Sequence, residues 1–166
     1  MDTILKRHSV RNYSAKSIDD ATIEKILHAG MSAPSAMGSK PWHFIVISDR
    51  DVMNAVTKIH PYAQMLLQAQ RAILVCGDED AEILPEFFQQ NCAAATENIL
   101  IAATSFGLGS VWVGLYPNEQ YRQDFKKLFN LPNSIEPFAL VPIGFSDQTL
   151  QLLNRFDSSR VHSNEW

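Results

Sequence analysis

The longest uninterrupted helical pattern in the sequence runs from Phe87 to Phe106, and it constrains the fold more than any other segment. Its alanines leave little bulk on several faces, and Glu97 is its only charged residue. We expect a helix with so few charges to be buried all round, because its surface offers water little to solvate. Gly107 follows as the predicted C-cap. The segment therefore predicts a central helix that packs into the core or against a second subunit.

Three apolar runs with strong β propensity accompany this helix, and we predict a strand at each of them. The runs are Trp42–Ser48, Ala72–Gly77 and Phe138–Gly144. A nearly continuous apolar run is typical of a strand covered on both faces, which is what we expect of the first two. Pro142 lacks a backbone donor, so part of the third run should be an edge or a bulge. A shorter strand is predicted at Val111–Val113.

Amphipathic helices are predicted between these strands. Apolar residues recur at helical spacing from Asp19 to about Met31, and Ser17 is the expected N-cap. The other helical patterns run from Ser48 or Asp49 to about Ile59, around Tyr62–Gln70, and onward from Pro117 or Asn118. A chain of 166 residues is long enough to bury a sizeable core, and one domain over 1–166 is the expectation.

Composition excludes several classes of protein. With 18 acidic against 14 basic residues the net charge is −4, which argues against a nucleic-acid binder because no basic face is available. No apolar run is long enough to span a bilayer, and no secretion signal is recognisable at the N-terminus. Cys76 and Cys92 lie in apolar segments without neighbouring ligands, so we expect buried free thiols and a reducing, cytoplasmic setting.

The segment Arg7–Arg11 concentrates hydrogen-bond donors. Two arginines, a serine hydroxyl and the imidazole of His8 lie within one short stretch. A guanidinium fits a phosphate with two parallel bonds, and a hydroxyl can add another. Solvated surface charge is the alternative interpretation of the two arginines.

Two further stretches interrupt the regular pattern. Ser32–Pro41 places small residues between two prolines, so that a flat ligand could lie close to the backbone; a plain connection between helix and strand is the alternative. Gly107–Gly114 begins as G-x-G, but Trp112 stands where a dinucleotide fingerprint needs its third glycine. A helix also precedes the glycines instead of following them, so a nicotinamide-binding Rossmann motif is excluded. The flanking glycines could leave backbone N–H groups open to the edge of a ligand.

Motifs for metal binding or nucleophilic catalysis are not found in the sequence. The five histidines are scattered, and each by itself is more typical of a structural role. A chain without its own acid–base machinery can still be an enzyme if a cofactor supplies the chemistry.

Three motifs, in the same order and at similar separations, resemble the nitroreductase family of flavoproteins. They are Arg7–Arg11, Pro34-Ser35 leading into Pro41-Trp42-His43-Phe44, and Gly107–Gly114 after the alanine-rich helix. The resemblance extends over nearly the whole chain and implies an α+β fold with a mixed, mainly antiparallel central sheet flanked by helices. It also implies an intertwined homodimer with two FMN molecules at the subunit interface and a tail, about residues 146–166, that reaches onto the partner.

Carried over to this chain, the family pattern assigns the phosphate and ribityl chain of FMN to Arg7 and Ser9, with His8 alongside. Arg11 matches a basic position near the pyrimidine edge of the flavin ring. A cation there stabilises negative charge on the ring and favours its acceptance of a hydride. Arg155 and Arg160 match the tail arginine that completes the phosphate site. These roles are implied by the resemblance.

The remaining implied contacts come from two other segments. Pro34, Ser35 and Ala36 match the loop that approaches the flavin from the other subunit, and Gly38 belongs to the same loop. Val113 and Gly114 match the strand whose backbone N–H reaches N5 and O4 of the flavin. The chain departs from the family pattern where Gly38-Ser39-Lys40 replaces the common Asn-x-Gln, and where Asn91 replaces a common Asp. It is also shorter than the best-known members, which leaves the substrate open.

The predicted function is therefore that of an FMN-dependent oxidoreductase. NADH or NADPH would donate a hydride to flavin N5, and a nitroaromatic, quinone or enone would accept it in a ping-pong cycle. Three alternatives stay open: another flavin reaction on the same fold, such as reductive dehalogenation; a non-catalytic flavin-binding module for storage or sensing; and a purely structural dimer. No metal, nucleic acid or membrane is expected as a partner.

Overall fold

A central antiparallel sheet positions everything else in the computed structural model, which describes residues 2–148 and 154–166. Its strands are β1 (Trp42–Ile47), β2 (Arg71–Asp78), β3 (Gly109–Ser110), β4 (Val113–Gly114) and β5 (Ile135–Gly144). The order is β1-β2-β5-β3, and β4 also pairs with β5. The strand pairings in the described part of the chain are antiparallel, and an isolated parallel bridge outside these strands joins Ser9 to Ser110. The predicted α+β class, with a mainly antiparallel sheet and flanking helices, is confirmed.

The first strand differs from its prediction. β1 pairs only with β2 and therefore forms an edge of the sheet. His43 and Val46 are exposed on it, whereas Trp42 and Ile47 are buried. The expectation of a strand covered on both faces is therefore wrong for β1, and it holds for β2, whose residues 72–77 are all buried.

The prediction that Pro142 marks an edge or a bulge in the last strand is also wrong. β5 lies inside the sheet, between β2 and the two short strands, so Pro142 is not on an edge. Its missing donor is tolerated because β3 ends opposite Ile143 and β4 begins opposite Leu140, which leaves the sheet interrupted between them. The predicted strand Val111–Val113 is therefore largely wrong, since Val111 and Trp112 lie in the interruption and only Val113 belongs to a strand. The irregularity in β5 lies elsewhere, where Val75 pairs with Ala139 but Cys76 pairs with Pro137, so that one residue is extra.

The helices follow their predictions closely. They are α2 (Asp20–Met31), α3 (Arg50–Ile59), α4 (Phe88–Ser105) and α5 (Glu119–Phe129), and Pro61–Leu67 is a 3₁₀ helix. A further short helix, α1 (Asp2–Lys6), precedes them. Asp19, and not Ser17, caps α2, since its carboxylate accepts from the N–H of Thr22 at 2.7 Å. Gly107 follows α4 with φ +71°, a left-handed conformation that suits glycine.

Two hydrophobic clusters lie on the two faces of the sheet. On one face Leu74 and Leu140 pack with Met53 of α3 and Phe125 of α5. On the other, the neighbouring strand residues pack with α2 and α4; they include Ile73, Val75, Val141, Ile143, Ile26 and Ile99. The alternation along β2 and β5 follows the two-residue period of a strand. Within 2–148 and 154–166, no helix is both long and apolar enough to cross a membrane.

The core contains two buried thiols. Cys76 and Cys92 are buried and unbonded, as predicted, and burial raises the pKa of each thiol to about 12. Both are therefore neutral and poor nucleophiles at neutral pH.

α4 buries Ile99 and Ala103, but Glu97 on another side keeps 45% of its side chain exposed, so the helix is not covered all round.

Candidate functional site

The segment Arg7–Arg11 lies against β3. Ser9 bridges to Ser110, and the N–H of Val10 donates to the Ser110 carbonyl at 2.9 Å. This close approach requires a glycine at 109, because a Cβ there would lie 2.6 Å from Cγ1 of Val10. The sheet therefore fixes the backbone that carries both arginines.

The backbone of Arg7 contacts an arginine from a distant part of the sequence. Its Nε lies 3.3 Å from Oε1 of Glu97, the lone charge of α4. Arg155 donates to the carbonyl of Leu5 at 3.3 Å and to that of Arg7 at 3.5 Å, across a separation of 148 residues. These contacts bring Arg155 to the backbone of Arg7, while the Arg7 side chain pairs with Glu97. Arginines in one region suit an oxyanion with more than one negative charge.

Arg160 is not part of this arrangement. Its side chain is 84% exposed and pairs with Asp157 at 3.2 Å. The described contacts do not connect it with Arg7 or Arg155. The predicted tail 146–166 includes residues 149–153, which lie outside the described residues.

His8 faces a cavity of about 400 Å³ beside this segment. Its Nδ1 lies 2.6 Å from the carbonyl of Lys6, so Nδ1 carries a proton and donates to that oxygen. Nε2 is buried and has no partner among the described residues. A buried imidazole nitrogen without a partner is uncommon, and a polar ligand in the cavity would satisfy it.

Arg11 opens onto a second cavity of about 540 Å³. Three polar amide side chains and the ring of Trp112 share its lining; the amides are Asn12, Gln64 and Gln68. Arg11 is exposed, and within the described part of the chain it belongs to no ion pair. A cation with amides and an aromatic wall suits a flat heterocycle that has carbonyl groups along one edge.

Gly114 lies at the surface at the end of β4. A Cβ at this position would meet nothing within 4 Å, so the backbone has open space in front of it. Behind it, Nε2 of His60 lies 3.1 Å from the Gly114 carbonyl. Burial lowers the pKa of His60, which is therefore neutral, and the carbonyl requires the proton on Nε2. Its neighbour Val113 is buried.

His60 was missed by sequence reasoning, which treated the histidines as scattered. Its ring packs on Tyr121 of α5 with centroids 4.2 Å apart, and only 2% of the residue is exposed. The partners belong to β4 and α5, far from His60 in sequence, so no local pattern could have indicated them.

The loop of residues 34–39, called the 34–39 loop below, lies at a different place. The N–H of Ala36 donates to Oδ1 of Asn91 in α4 at 2.9 Å, and the N–H of Lys40 donates to Oγ of Ser35 at 2.9 Å. Pro34, Ser35 and Ala36 line a cavity of about 310 Å³ against α4. Gly38 has φ +70°, and it follows Met37 with φ +53°.

The predicted site residues therefore form two groups in one copy of the chain. Around β3 and β4 lie Arg7, His8, Ser9, Arg11, Arg155, Val113 and Gly114, whereas Pro34, Ser35, Ala36 and Gly38 belong to the 34–39 loop. Among the described residues, no hydrogen bond and no cavity joins the two groups.

The chain resembles known proteins in sequence. The model of the nitroreductase family matches residues 4–75 and 58–145. A protein of Methanothermobacter thermautotrophicus, provisionally named an NADH dehydrogenase/NAD(P)H nitroreductase, is 39% identical over 100% of this chain and 87% of its own length.

Solved structures resemble the whole chain. A protein of Clostridium acetobutylicum, provisionally named an NADH oxidase, has a TM-score of 0.96 at 38% identity and covers 99% of this chain and 100% of its own. A protein of Desulfovibrio desulfuricans, provisionally named a nitroreductase and solved in complex with FMN, has a TM-score of 0.85 at 25% identity, covering 99% and 96%.

Proposed function

The chain belongs to the nitroreductase family, and on that premise we propose that it is an oxidoreductase that uses FMN and takes a hydride from NADH or NADPH. The observation that carries the proposal is the contact of Arg155 with the backbone carbonyl of Arg7, in a segment where His8 lines one cavity and Arg11 lines a second. The relative solved with FMN and the relatives named for NAD(P)H reactions support the same cofactor and donor.

The donors around β3 fit the phosphate and ribityl chain of FMN. Arg7, Arg155 and the hydroxyl of Ser9 would bind the phosphate, which is costly to bury without cations. Glu97 would orient Arg7 through its Nε and leave the other guanidinium nitrogens for the ligand. The unpartnered Nε2 of His8 would accept a hydrogen bond from a hydroxyl. Arg160, which pairs with Asp157, is not included in this phosphate site.

The second cavity would receive the flavin ring. Arg11 would place a positive charge beside the pyrimidine edge, where it lowers the cost of negative charge. The open backbone of Gly114, with buried Val113 before it, would face the ring, and His60 would hold the Gly114 peptide from behind. When bound, FMN supplies the hydride-transfer chemistry that the chain's own side chains lack.

Two copies of the chain would complete each site. The 34–39 loop does not reach the Arg7–Arg11 segment within one copy, so a site that contains both needs a partner subunit. The tail exposes Phe156 and Trp166, large rings that water solvates poorly. We therefore include an intertwined homodimer in the proposal.

A nitroaromatic, quinone or enone is the proposed class of acceptor. Donor and acceptor would occupy the same open face in front of Gly114 in turn, which gives ping-pong kinetics. No side chain needs to form a covalent bond, and the protons for the acceptor can come from solvent.

The test is an anaerobic titration of the FMN-loaded protein with NADH and with NADPH. We expect at least one of them to bleach the yellow flavin band, and an added quinone or nitroaromatic to restore it. A yellow protein that neither coenzyme bleaches would identify a non-catalytic flavin-binding module. A colourless protein that does not take up FMN would refute the cofactor assignment itself.

Substitution of the two arginines separates binding from chemistry. Arg7→Ala should weaken FMN binding by about 1–3 kcal/mol, the range for a lost charge-assisted contact. Arg11→Ala should slow reduction by the coenzyme more than it weakens binding, because its charge acts on the ring. Lys58→Ala, an exposed cation on α3, is the matched control. Unchanged FMN affinity in Arg7→Ala would remove that residue from the phosphate site.

A further inference from the structure

A buried amide anchors the 34–39 loop to α4. Asn91 is 3% exposed, and its Oδ1 accepts from the N–H of Ala36 at 2.9 Å. Its Nδ2 donates to Oε2 of Glu82 at 2.7 Å and lies 3.4 Å from Oγ of Ser39. Glu82 is itself 8% exposed. We propose that Glu82 and Asn91 form a positioning pair that sets the conformation of this loop for cofactor binding, an inference that rests on the proposed function.

The chemistry of the partners fixes the orientation of the Asn91 amide. A backbone N–H can only donate, so it must meet Oδ1. The remaining amide nitrogen, Nδ2, can only donate, and it donates to Oε2 of Glu82. A flipped amide would place donor against donor and acceptor against acceptor. Glu82 thus selects the one amide orientation that binds Ala36.

The loop needs such an anchor because its backbone is strained. Met37 has φ +53°, and Lys40, the residue directly after the loop, has φ +49°. Both values lie in the left-handed region, which costs free energy for residues with a Cβ. Local bonds offset part of this cost: the N–H of Gly38 donates to the Ser35 carbonyl at 3.1 Å, and Ser35 Oγ accepts from Lys40. Ala36, between these residues, is held from outside the loop by Asn91 alone among the described contacts.

Glu82 lies in the connection between β2 and α4 and acts on the loop through Asn91. Just before this connection, the last residue of β2, Asp78, donates its N–H to the carbonyl of Pro41, two residues after the loop, at 2.8 Å. Asn91 also lines the cavity formed with Pro34, Ser35 and Ala36. A change at Glu82 can therefore alter the loop without touching Arg7 or Arg155.

Exchanging the carboxylate and the amide between positions 82 and 91 tests the proposed pair. Asn91→Asp sets a carboxylate against that of Glu82 and removes the donor between them, so FMN affinity should fall about tenfold or more. Glu82→Gln should have a smaller effect, because the Gln oxygen still accepts from Asn91. In Glu82→Gln/Asn91→Asp the Gln amide donates to the new carboxylate, and affinity should return to within about threefold of the parent.

Two measurements on full-length protein decide the matter: the dissociation constant of FMN by fluorescence titration, and hydrogen–deuterium exchange at Ala36 without FMN. We expect faster exchange at Ala36 in Asn91→Asp and recovery in the double variant. Asn98→Asp is the matched control, since Asn98 donates from the same helix to the Ala29 carbonyl, away from the loop. If Asn91→Asp does not fold, Asn91→Ala replaces it, with the same loss expected.

The outcomes separate the two proposals. If the parent binds FMN and Asn91→Asp matches it in both measurements, the positioning pair is refuted. A double variant that folds but recovers neither measurement also refutes it. If the parent does not bind FMN but exchange at Ala36 follows the predicted pattern, the proposed function fails while the pairing of Glu82 with Asn91 stands. Equal loss of FMN affinity in Asn98→Asp would indicate a general effect on α4 and would overturn the specific role.

Discussion

The imidazole of His60 links three elements through one buried ring. It follows α3, packs on Tyr121 of α5, and hydrogen-bonds the Gly114 carbonyl of β4 at 3.1 Å. Burial lowers its pKa from the ordinary value of 6.5, against the opposing effect of that hydrogen bond. The folded protein therefore holds His60 neutral at a pH where the unfolded chain would begin to protonate it.

The sign of the resulting pH dependence follows from the lowered pKa. As pH falls below about 6.5, the unfolded chain takes up a proton that the folded protein refuses, so stability decreases until the pH reaches the lowered pKa. His60→Gln keeps a donor for the carbonyl but does not titrate. The unfolding free energy of the parent, measured with urea, should fall relative to that of His60→Gln between about pH 7.5 and about pH 5.5. His162→Gln, in the exposed tail, is the control, and a gap between parent and His60→Gln that does not change with pH would contradict the prediction.

At the residue scale, the sequence indicates functional residues that are neighbours in the chain, but not those whose partners lie far away in it. The sequence indicates Arg7 and Arg11 as donors because they lie close together in one segment, and it leads to Asn91 only as a departure from a family pattern. It does not indicate Glu82 or His60, whose partners lie on other elements. A buried polar residue is identified by its partners, and those partners are set by tertiary structure.

At the element scale, a buried ion cluster fastens α5 to β5. Glu136 of β5 is 4% exposed, and it accepts from Nε of Arg122 at 2.8 Å and from Nζ of Lys126. Burial alone would raise the pKa of Glu136, but the hydrogen bonds from Arg122 and Lys126 outweigh it and keep the pKa below its usual value. Arg122 also pairs with Glu119 at 3.2 Å and lies over the ring of Tyr116.

Removal of one cation from this cluster should be costly. Arg122→Met keeps most of the apolar stem but leaves Glu136 buried with Lys126 as its only cation among the described contacts. We expect a loss of about 3 kcal/mol in the unfolding free energy, measured with urea, because an underpaired buried charge is expensive. Lys127→Met, the next residue along but exposed, is the matched control and should cost under about 0.5 kcal/mol. Equal stability of the two variants would show that the cluster does not anchor α5.

The residues at which helices begin depend on local contacts, whereas the positions of strands depend on residues far away in the sequence. Asp49 caps α3 and Asn118 caps α5 where the sequence places them, because a cap is a contact between residues three or fewer apart. Strand assignments fail where pairing decides. Pro142 lies inside the sheet only because two short strands leave a break opposite it, and that break follows from the path of residues 109–114.

At the scale of the whole molecule, segments that are far apart in the sequence lie next to one another. Arg155 of the tail binds the backbone of Leu5 and Arg7, so the tail and the first helix share one location. The alanine-rich α4 packs on α2 and the sheet but leaves Ala94 and Glu97 partly exposed. The resemblance to a family could predict the order of the motifs and the fold. Assembly of two copies stays a proposal, argued from which groups a single copy keeps apart.

The tail offers a direct test of that assembly. Phe156 is 74% exposed and Trp166 is 99% exposed in one copy, so burying both rings against a partner would contribute about 3 kcal/mol or more to association. Phe156→Ser/Trp166→Ser should therefore raise the dimer dissociation constant at least about 100-fold, measured by sedimentation equilibrium. FMN affinity in this variant should then depend on protein concentration, because each site needs both copies. Leu67→Ser, which alters a residue 55% exposed on the 3₁₀ helix, should leave both measurements unchanged. A parent that is monomeric at every concentration and still binds FMN tightly would place the whole site within one chain.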